Sequence, residues 1–213
     1  MMSKPRLFGA DYSVYVRICR LALLEKNVDY DLVPVDIFAS ESASATYLER
    51  QPFGKIPSFE HDDFRLYETG AIARYVDDAF PGSALQPAEP RKRARMNQII
   101  SIADAYVYPY LVWGMYVELA AKPARGEQPD ESRVALSRAK AAICLKALSE
   151  LLGTGLWLAG DDLTLADLYV APMLDYFLML PEGRKTLVEI PNLWEWQQRM
   201  GYRESFRKTR AIT

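Results

Sequence analysis

The chain has 213 residues, with 26 Lys and Arg against 28 Asp and Glu and a net charge of −2. Half of its residues are hydrophobic and a quarter are charged, the composition of a folded globular protein with length enough for one large domain or two small ones. The balanced charge excludes a global basic field for nucleic acid, and two cysteines with a single histidine exclude a zinc site of Cys/His type.

In chain order, Arg6-Leu-Phe-Gly9 reads as a short strand. From Ser13 the pattern turns helical, with Val16, Cys19, Ala22 and Leu23 on one face, and Asn27 stops it. Val33, Val35 and Ile37 alternate as a second strand that Pro34 assigns to an edge. Ser58-Phe-Glu and Phe64-Arg-Leu-Tyr flank His61-Asp-Asp as a hairpin, and Ala71 to Phe80 is helical again. A helix between two strands implies a parallel crossover, to which the hairpin adds an antiparallel edge.

The prolines and glycine of residues 81–90 mark a linker. Beyond it everything reads helical: Arg91 to Ala121 as one long helix or one kinked at Pro109, Pro129 to Leu152 as another, and Pro191 to Met200 as a short third. Thr164-Leu-Ala-Asp167 has the spacing of a capping box. The expected class is α+β, mostly α, with a small α/β domain at residues 1–80, a linker at 81–90 and an all-helical domain at 91–213. The opening residues are well charged, and the longest charge-free stretch, Ala105 to Val117, is shorter than the ~18–20 residues of a membrane span. A soluble, cytoplasmic protein is expected.

Few residues offer catalysis. A Ser-His-Asp triad would have to use His61, and there is no GxSxG elbow, P-loop or GxGxxG motif. Ser13, between a strand and a helix, reads first as a plain helix N-cap, a common use of serine, and second as a hydroxyl placed to hydrogen-bond a ligand. Cys19 and Cys144 sit in helical patterns among apolar residues and read as core.

Four segments carry a resemblance. The run from Phe8 to Lys26, Pro52-Phe-Gly-Lys-Ile-Pro57, Glu68-Thr-Gly-Ala-Ile72, and Leu158-Ala-Gly-Asp-Asp-Leu-Thr-Leu-Ala-Asp167 resemble, in order and at family spacing, the motifs of cytosolic glutathione S-transferases, and the chain looks like a serine-type, bacterial-like member. The resemblance implies a thioredoxin-like N-terminal domain followed by a helical-bundle domain. It implies glutathione as co-substrate, no metal, a hydrophobic small-molecule electrophile as second substrate, no nucleic-acid or membrane partner, and a homodimer.

Residue by residue, it makes Ser13 the group that activates the glutathione thiol, with Tyr12 and Tyr15 as rival hydroxyls. Ile56 and a cis Pro57 would present backbone groups to the cysteinyl part of glutathione. Lys55, Glu68 and Thr69 would complete its binding. Tyr12, Phe38, Tyr110 and Trp113 are candidates for the electrophile site, with Tyr106, Tyr110, Trp113 and Val117 on one helix face and Tyr108, Val112 and Met115 on another. Phe53 is a candidate dimer contact. One departure stands out: where some relatives hold the glycyl carboxylate with a basic pair, this chain has Ser42 and Ala43 in a loop without a base, so Lys55 or Arg17 would have to substitute. The alternative to an enzyme is a transferase-like dimerisation or interaction module, since a fold alone does not establish activity.

Overall fold

The computed structural model describes residues 4–37 and 41–210, with the side chains of residues 41–44 excluded. The chain divides into two compact units: the first runs to Leu85 and is joined by the segment from Arg203, and the second is Gln86–Tyr202.

The first unit is built on a four-stranded sheet of order β2-β1-β3-β4, from β1 (Arg6–Gly9), β2 (Asp31–Pro34), β3 (Ser58–His61) and β4 (Phe64–Tyr67). β1 pairs in parallel with β2, Phe8 opposite Val33, and antiparallel with β3, Phe8 opposite Ser58. β3 pairs antiparallel with β4, Ser58 opposite Tyr67. Helices α1 (Val14–Glu25) and α2 (Glu41–Leu48) connect β1 to β2 and β2 to β3, and α3 (Thr69–Ala79) follows β4. The stripe read from the sequence is the buried face of α1: Val16, Cys19, Ala22 and Leu23 are wholly covered. Asn27, in the left-handed region at φ 54°, ends the helix.

Three details differ from the sequence reading. β2 begins earlier and stops at Pro34, because its register is fixed by pairing with β1 and not by its own alternation. The Ser/Ala-rich stretch read as a loop is α2, in which Ser42 and Ala43 lie on the backbone of the helix. The segment from Arg203, assigned by sequence to the helical domain, packs into the first unit through a short helix, α10 (Glu204–Lys208).

A buried ion pair closes the same unit. Lys26 Nζ lies 3.1 Å from Asp77 Oδ1 and donates to the carbonyl of Ser83 at 3.2 Å, while Asp77 accepts from the Leu85 N–H at 2.8 Å. Part of what reads as a linker is therefore tied down, with Leu85 in the core.

The second unit is helical: α4 (Pro90–Ile102), a wide helix over Ala103–Ala121, the single turn α5 (Lys122–Ala124), α6 (Glu131–Leu152), α7 (Leu165–Phe177), α8 (Pro181–Val188) and α9 (Pro191–Gly201). In the wide helix, hydrogen bonds reach five residues back instead of four, as from Lys122 N–H to the Val117 carbonyl. The helix passes Pro109 in this form. Gly114 lets it press on α6: a Cβ there would stand 2.7 Å from the Cβ of Ser137.

Every residue of α7 is buried, making it the centre of the unit. Its start is the capping box that the sequence spells. Thr164 and Asp167 cap each other, and the buried Asp167 carboxylate also accepts from Leu158 N–H at 2.9 Å and Trp196 Nε1 at 2.8 Å. Burial pushes that carboxyl above its ordinary range, against these donors.

Candidate active site

The sheet register brings three chain segments to one end of the first unit. With Phe8 opposite Ser58 and Ser58 opposite Tyr67, the C-terminal ends of β1 and β4 flank the N-terminal end of β3. Ser13 follows the first, Glu68 and Thr69 follow the second, and Ile56-Pro57 precedes the third. The helices α1 and α3 therefore start at that end, where their unpaired N–H groups and dipoles favour negative charge.

Ser13 caps α1. Its backbone is extended, at φ −80° and ψ 123°, and its Oγ accepts from Val16 N–H at 3.3 Å. A hydroxyl that accepts still has its proton to donate, so the two readings of Ser13 are compatible: the cap fixes the oxygen and leaves the O–H available. Neighbouring Tyr12 is 49% exposed. Burial of its ring, and secondly the Asp36 carboxylate, push its hydroxyl above the ordinary range, which disfavours a phenolate there.

The Ile56–Pro57 bond is cis. The loop before it is shaped by two side chains that sequence reasoning missed. Buried Gln51 accepts through Oε1 from the N–H groups of Phe53 at 2.7 Å and Lys55 at 3.1 Å, and Tyr47 donates its hydroxyl to the Lys55 carbonyl at 2.9 Å. The available signal was an amide side chain directly before the turn residues Pro52-Phe-Gly; Tyr47 was hidden by the misreading of α2 as loop. No described residue hydrogen-bonds the N–H or C=O of Ile56. The Lys55 ammonium is exposed and has no acidic partner among the described residues.

Glu68 stands at φ 71° and ψ 115°, a conformation that L-residues rarely adopt and that marks functional sites when it persists. It leaves α3 without a side-chain cap: the Glu68 carbonyl accepts from the N–H groups of Ala71 and Ile72 at 3.0 Å, and no described residue hydrogen-bonds those of Thr69 and Gly70. The Glu68 side chain is exposed, whereas Thr69 is buried and shares a hydrogen bond with Cys19 of α1. Cys19 and Cys144 are both buried, and burial raises both thiols, Cys144 to about 11.

The remaining residues scatter. Arg17 cannot reach a glycyl carboxylate in this structure: it is 2% exposed and donates into the C-terminal segment, to Thr209 Oγ1 and the Phe206 carbonyl. Phe38 lies outside the described residues, as do the side chains of Ser42 and Ala43. Phe53 is 67% exposed and meets the ring of Tyr67 edge-on, with ring centroids 6.0 Å apart.

In the second unit, Trp113 is 43% exposed, Tyr106 is exposed and Tyr110 is half-buried, while Val112 and Met115 are core. Of the two faces read from the sequence, the one with Tyr106 and Trp113 is the open one. Tyr108 nevertheless packs against Trp113, five residues on, at 6.5 Å between ring centroids, a contact that five-residue bonding permits.

Residues 7–84 match the model of the glutathione S-transferase N-terminal domain, and residues 131–199 that of the C-terminal domain. The chain belongs to the glutathione S-transferase family. Glutathione S-transferase F13 of Arabidopsis thaliana is 31% identical over 95% of this chain and 93% of its own length, and F7 of the same plant is 32% identical over 97% and 99%. Among solved structures, glutathione transferase F7 from Populus trichocarpa superposes with a TM-score of 0.87 at 28% identity, over 98% of this chain and 100% of that one. Transferase I from maize, solved with an atrazine glutathione conjugate, gives 0.84 at 26% identity over 98% and 97%. The transferase is thus an enzyme with glutathione as its co-substrate, and not a bare interaction module.

Proposed function

We propose that this transferase is of the serine type, with Ser13 holding the glutathione sulfur as thiolate for attack on an apolar electrophile. The observation that carries this reading is the convergence, at one end of the sheet, of the Ser13 hydroxyl, the Ile56 backbone, which no described residue pairs, and the start of α3, which has no side-chain cap. Glutathione is a short peptide with matching groups. Its γ-glutamyl carboxylate meets the N–H groups of α3 and Thr69, and its ammonium meets Glu68. Its cysteinyl amide pairs with Ile56 as an added strand would, and its sulfur then lies over Ser13. Lys55 takes the glycyl carboxylate, since Arg17 is committed elsewhere.

A hydrogen bond to a charged group contributes about 1.5–3 kcal/mol and a helix N-terminus about 0.3–1 kcal/mol. At 1.36 kcal/mol per unit, together they lower the thiol pKa by roughly 1–3 units from its free value near 8.5, to about 5.5–7.5, where a large share of the thiol is ionised at neutral pH. The thiol proton passes to solvent, the thiolate electron pair forms the carbon–sulfur bond, and the leaving group departs with its own pair. No histidine base is required. Tyr12 is the weaker rival, because the tyrosine that other classes of the family use lies nearer the first strand, so that Ser13 matches the motif better.

Tyr12, Phe38, Tyr110 and Trp113 are proposed for the electrophile, which the exposed aromatic surface of Trp113 suits as an apolar or aromatic molecule. Conjugation is favoured. Peroxide reduction and dehalogenation use the same thiolate, whereas isomerisation is not proposed, because Ser13-Val-Tyr departs from the Ser-Ser-Cys run of the isomerases. A cytoplasmic homodimer with Phe53 at the subunit contact completes the proposal, supported by the exposure of that ring. The serine-type, bacterial-like assignment is kept as a proposal within the family; the relatives named above are from plants.

The test is Ser13→Ala. The bound thiol should titrate about 1–2 units higher and turnover should fall about 10- to 100-fold, with the melting temperature lowered only by the lost cap. Unchanged thiol titration and turnover would remove Ser13 from the mechanism.

A further inference from the structure

The C-terminal segment lies outside both matched domain regions, which end at residues 84 and 199, yet it is built into the unit that carries Ser13. Its attachment is dense and complementary. Phe206 and Thr209 are buried. Arg17, one turn into α1, donates from Nε to Thr209 Oγ1 at 3.3 Å and from Nη2 to the Phe206 carbonyl at 3.2 Å, with its guanidinium 4.2 Å from the centre of the Phe206 ring. Arg20 donates to the Lys208 carbonyl at 3.3 Å. At the other end of α1, Glu25 accepts two bonds from Arg203, at 2.8 and 2.5 Å, and one from Ser205.

α10 therefore runs antiparallel along α1. The arginines of α1 meet the carbonyls of Phe206 and Lys208 late in α10, the first of which also accepts from the Thr209 hydroxyl at 3.2 Å, and the glutamate meets Arg203 and Ser205 at the start of that helix. Both ends of α1 are held. The end that matters for chemistry is the first: Arg17 N–H bonds the Ser13 carbonyl at 2.9 Å, so the residue gripped by the C-terminal segment belongs to the same turn as the capping serine.

We propose that residues 203–210 act as a clasp on α1 and that Arg17 is a positioning residue for Ser13, fixing the direction of its hydroxyl through the first turn of the helix. Arg17 touches no substrate in this scheme. Its buried guanidinium fork uses two separate acceptors and a ring face, a geometry that lysine cannot reproduce.

This inference rests on the Ser13 reading, and its test separates the two. The probe is reduced glutathione in complex with the full-length enzyme, read by thiolate absorbance against pH, with kcat, the KM for glutathione and melting temperature measured alongside. Four variants are compared: Ser13→Ala, Arg17→Met, Arg17→Lys and Thr209→Val. The last keeps Arg17 and the shape of the buried site, and it decides the matter if Arg17→Met does not fold.

The expected result is a bound thiol shifted up by about half a unit or more in Arg17→Met, a smaller shift in Thr209→Val, and partial recovery in Arg17→Lys. The fall should be in kcat, with KM for glutathione little changed. If these variants melt earlier but titrate and turn over as wild type while Ser13→Ala does not, the clasp is structural only and the inference fails. If Ser13→Ala itself leaves the thiol unmoved, the Ser13 reading fails and takes this one with it.

Discussion

Replacing Glu68 by glycine should raise stability and weaken glutathione binding together, a combination that few active-site changes produce. The backbone at φ 71° and ψ 115° is strained for any residue with a Cβ, and such strain amounts to about 1–3 kcal/mol. Glycine adopts this conformation freely but gives the unfolded chain more freedom, which subtracts about 0.4–1 kcal/mol. The net gain is about 1 kcal/mol, or roughly 2–4 °C in melting temperature for a chain of this size. Meanwhile the carboxylate proposed to meet the ammonium of glutathione is gone. A hydrogen bond to a charged group is worth about 1.5–3 kcal/mol, so the Kd for glutathione should rise about 10- to 150-fold. Calorimetric titration and thermal melts on the same samples measure both. Glu68→Gln is the control: it keeps the strain, so its melting temperature stays put while its affinity falls. A Glu68→Gly protein that melts lower and binds as wild type would refute both the strain and the contact.

Other consequences are as direct. Lys26→Met leaves Asp77 charged and buried, so it should lose about 3–5 kcal/mol in denaturant unfolding, and the double change Lys26→Met with Asp77→Leu should restore only part of this, because the buried Leu85 N–H then loses its acceptor. Gly114→Ala should lower stability by about 1–3 kcal/mol because its methyl would overlap Ser137, and Ser137→Gly should relieve it. Glu118 is buried, which alone would raise its carboxyl, but the Asp130 N–H, Lys122 and Arg133 outweigh burial and hold it below the usual range. As pH falls the unfolded chain takes up this proton first, so the stability that Glu118 provides is complete above its unfolded pKa of about 4.3 and is lost as pH drops through the lower folded value. Glu118→Gln should flatten that limb of the acid-unfolding curve.

The parts of the fold that were legible are those whose signals are local. The buried stripe of α1, the hairpin of β3 and β4 and the box of Thr164 and Asp167 each follow from spacing within a few residues. The parts missed depend on partners far along the chain. β2 takes its limits from β1, α2 has no apolar periodicity to show, and α10 docks through Glu25 and Arg17, almost two hundred residues earlier. For the candidate site, the motifs around Ser13, Ile56-Pro57 and Glu68-Thr69 could be read from the sequence, and the sheet register brings those segments to one end, while Gln51 and Tyr47, which shape the turn by contacts to backbone, carry side chains that could serve many purposes. Arg17 was misjudged because charge alone suggests solvent, and only its neighbours reveal a buried anchor.

The return of the C-terminal segment also sets an order of events during synthesis. Residues 203–210 follow the rest of the first unit by more than a hundred residues. At about 5–20 residues per second, the ribosome takes on the order of ten seconds to make the intervening chain. Through that interval the first unit, although begun first, holds Arg17 and Glu25 without their eventual partners, and the whole helical unit is synthesised before it can be completed. The glutathione-binding unit is thus started first and finished last, and a nascent chain stalled before residue 203 should carry an α1 not yet locked in place.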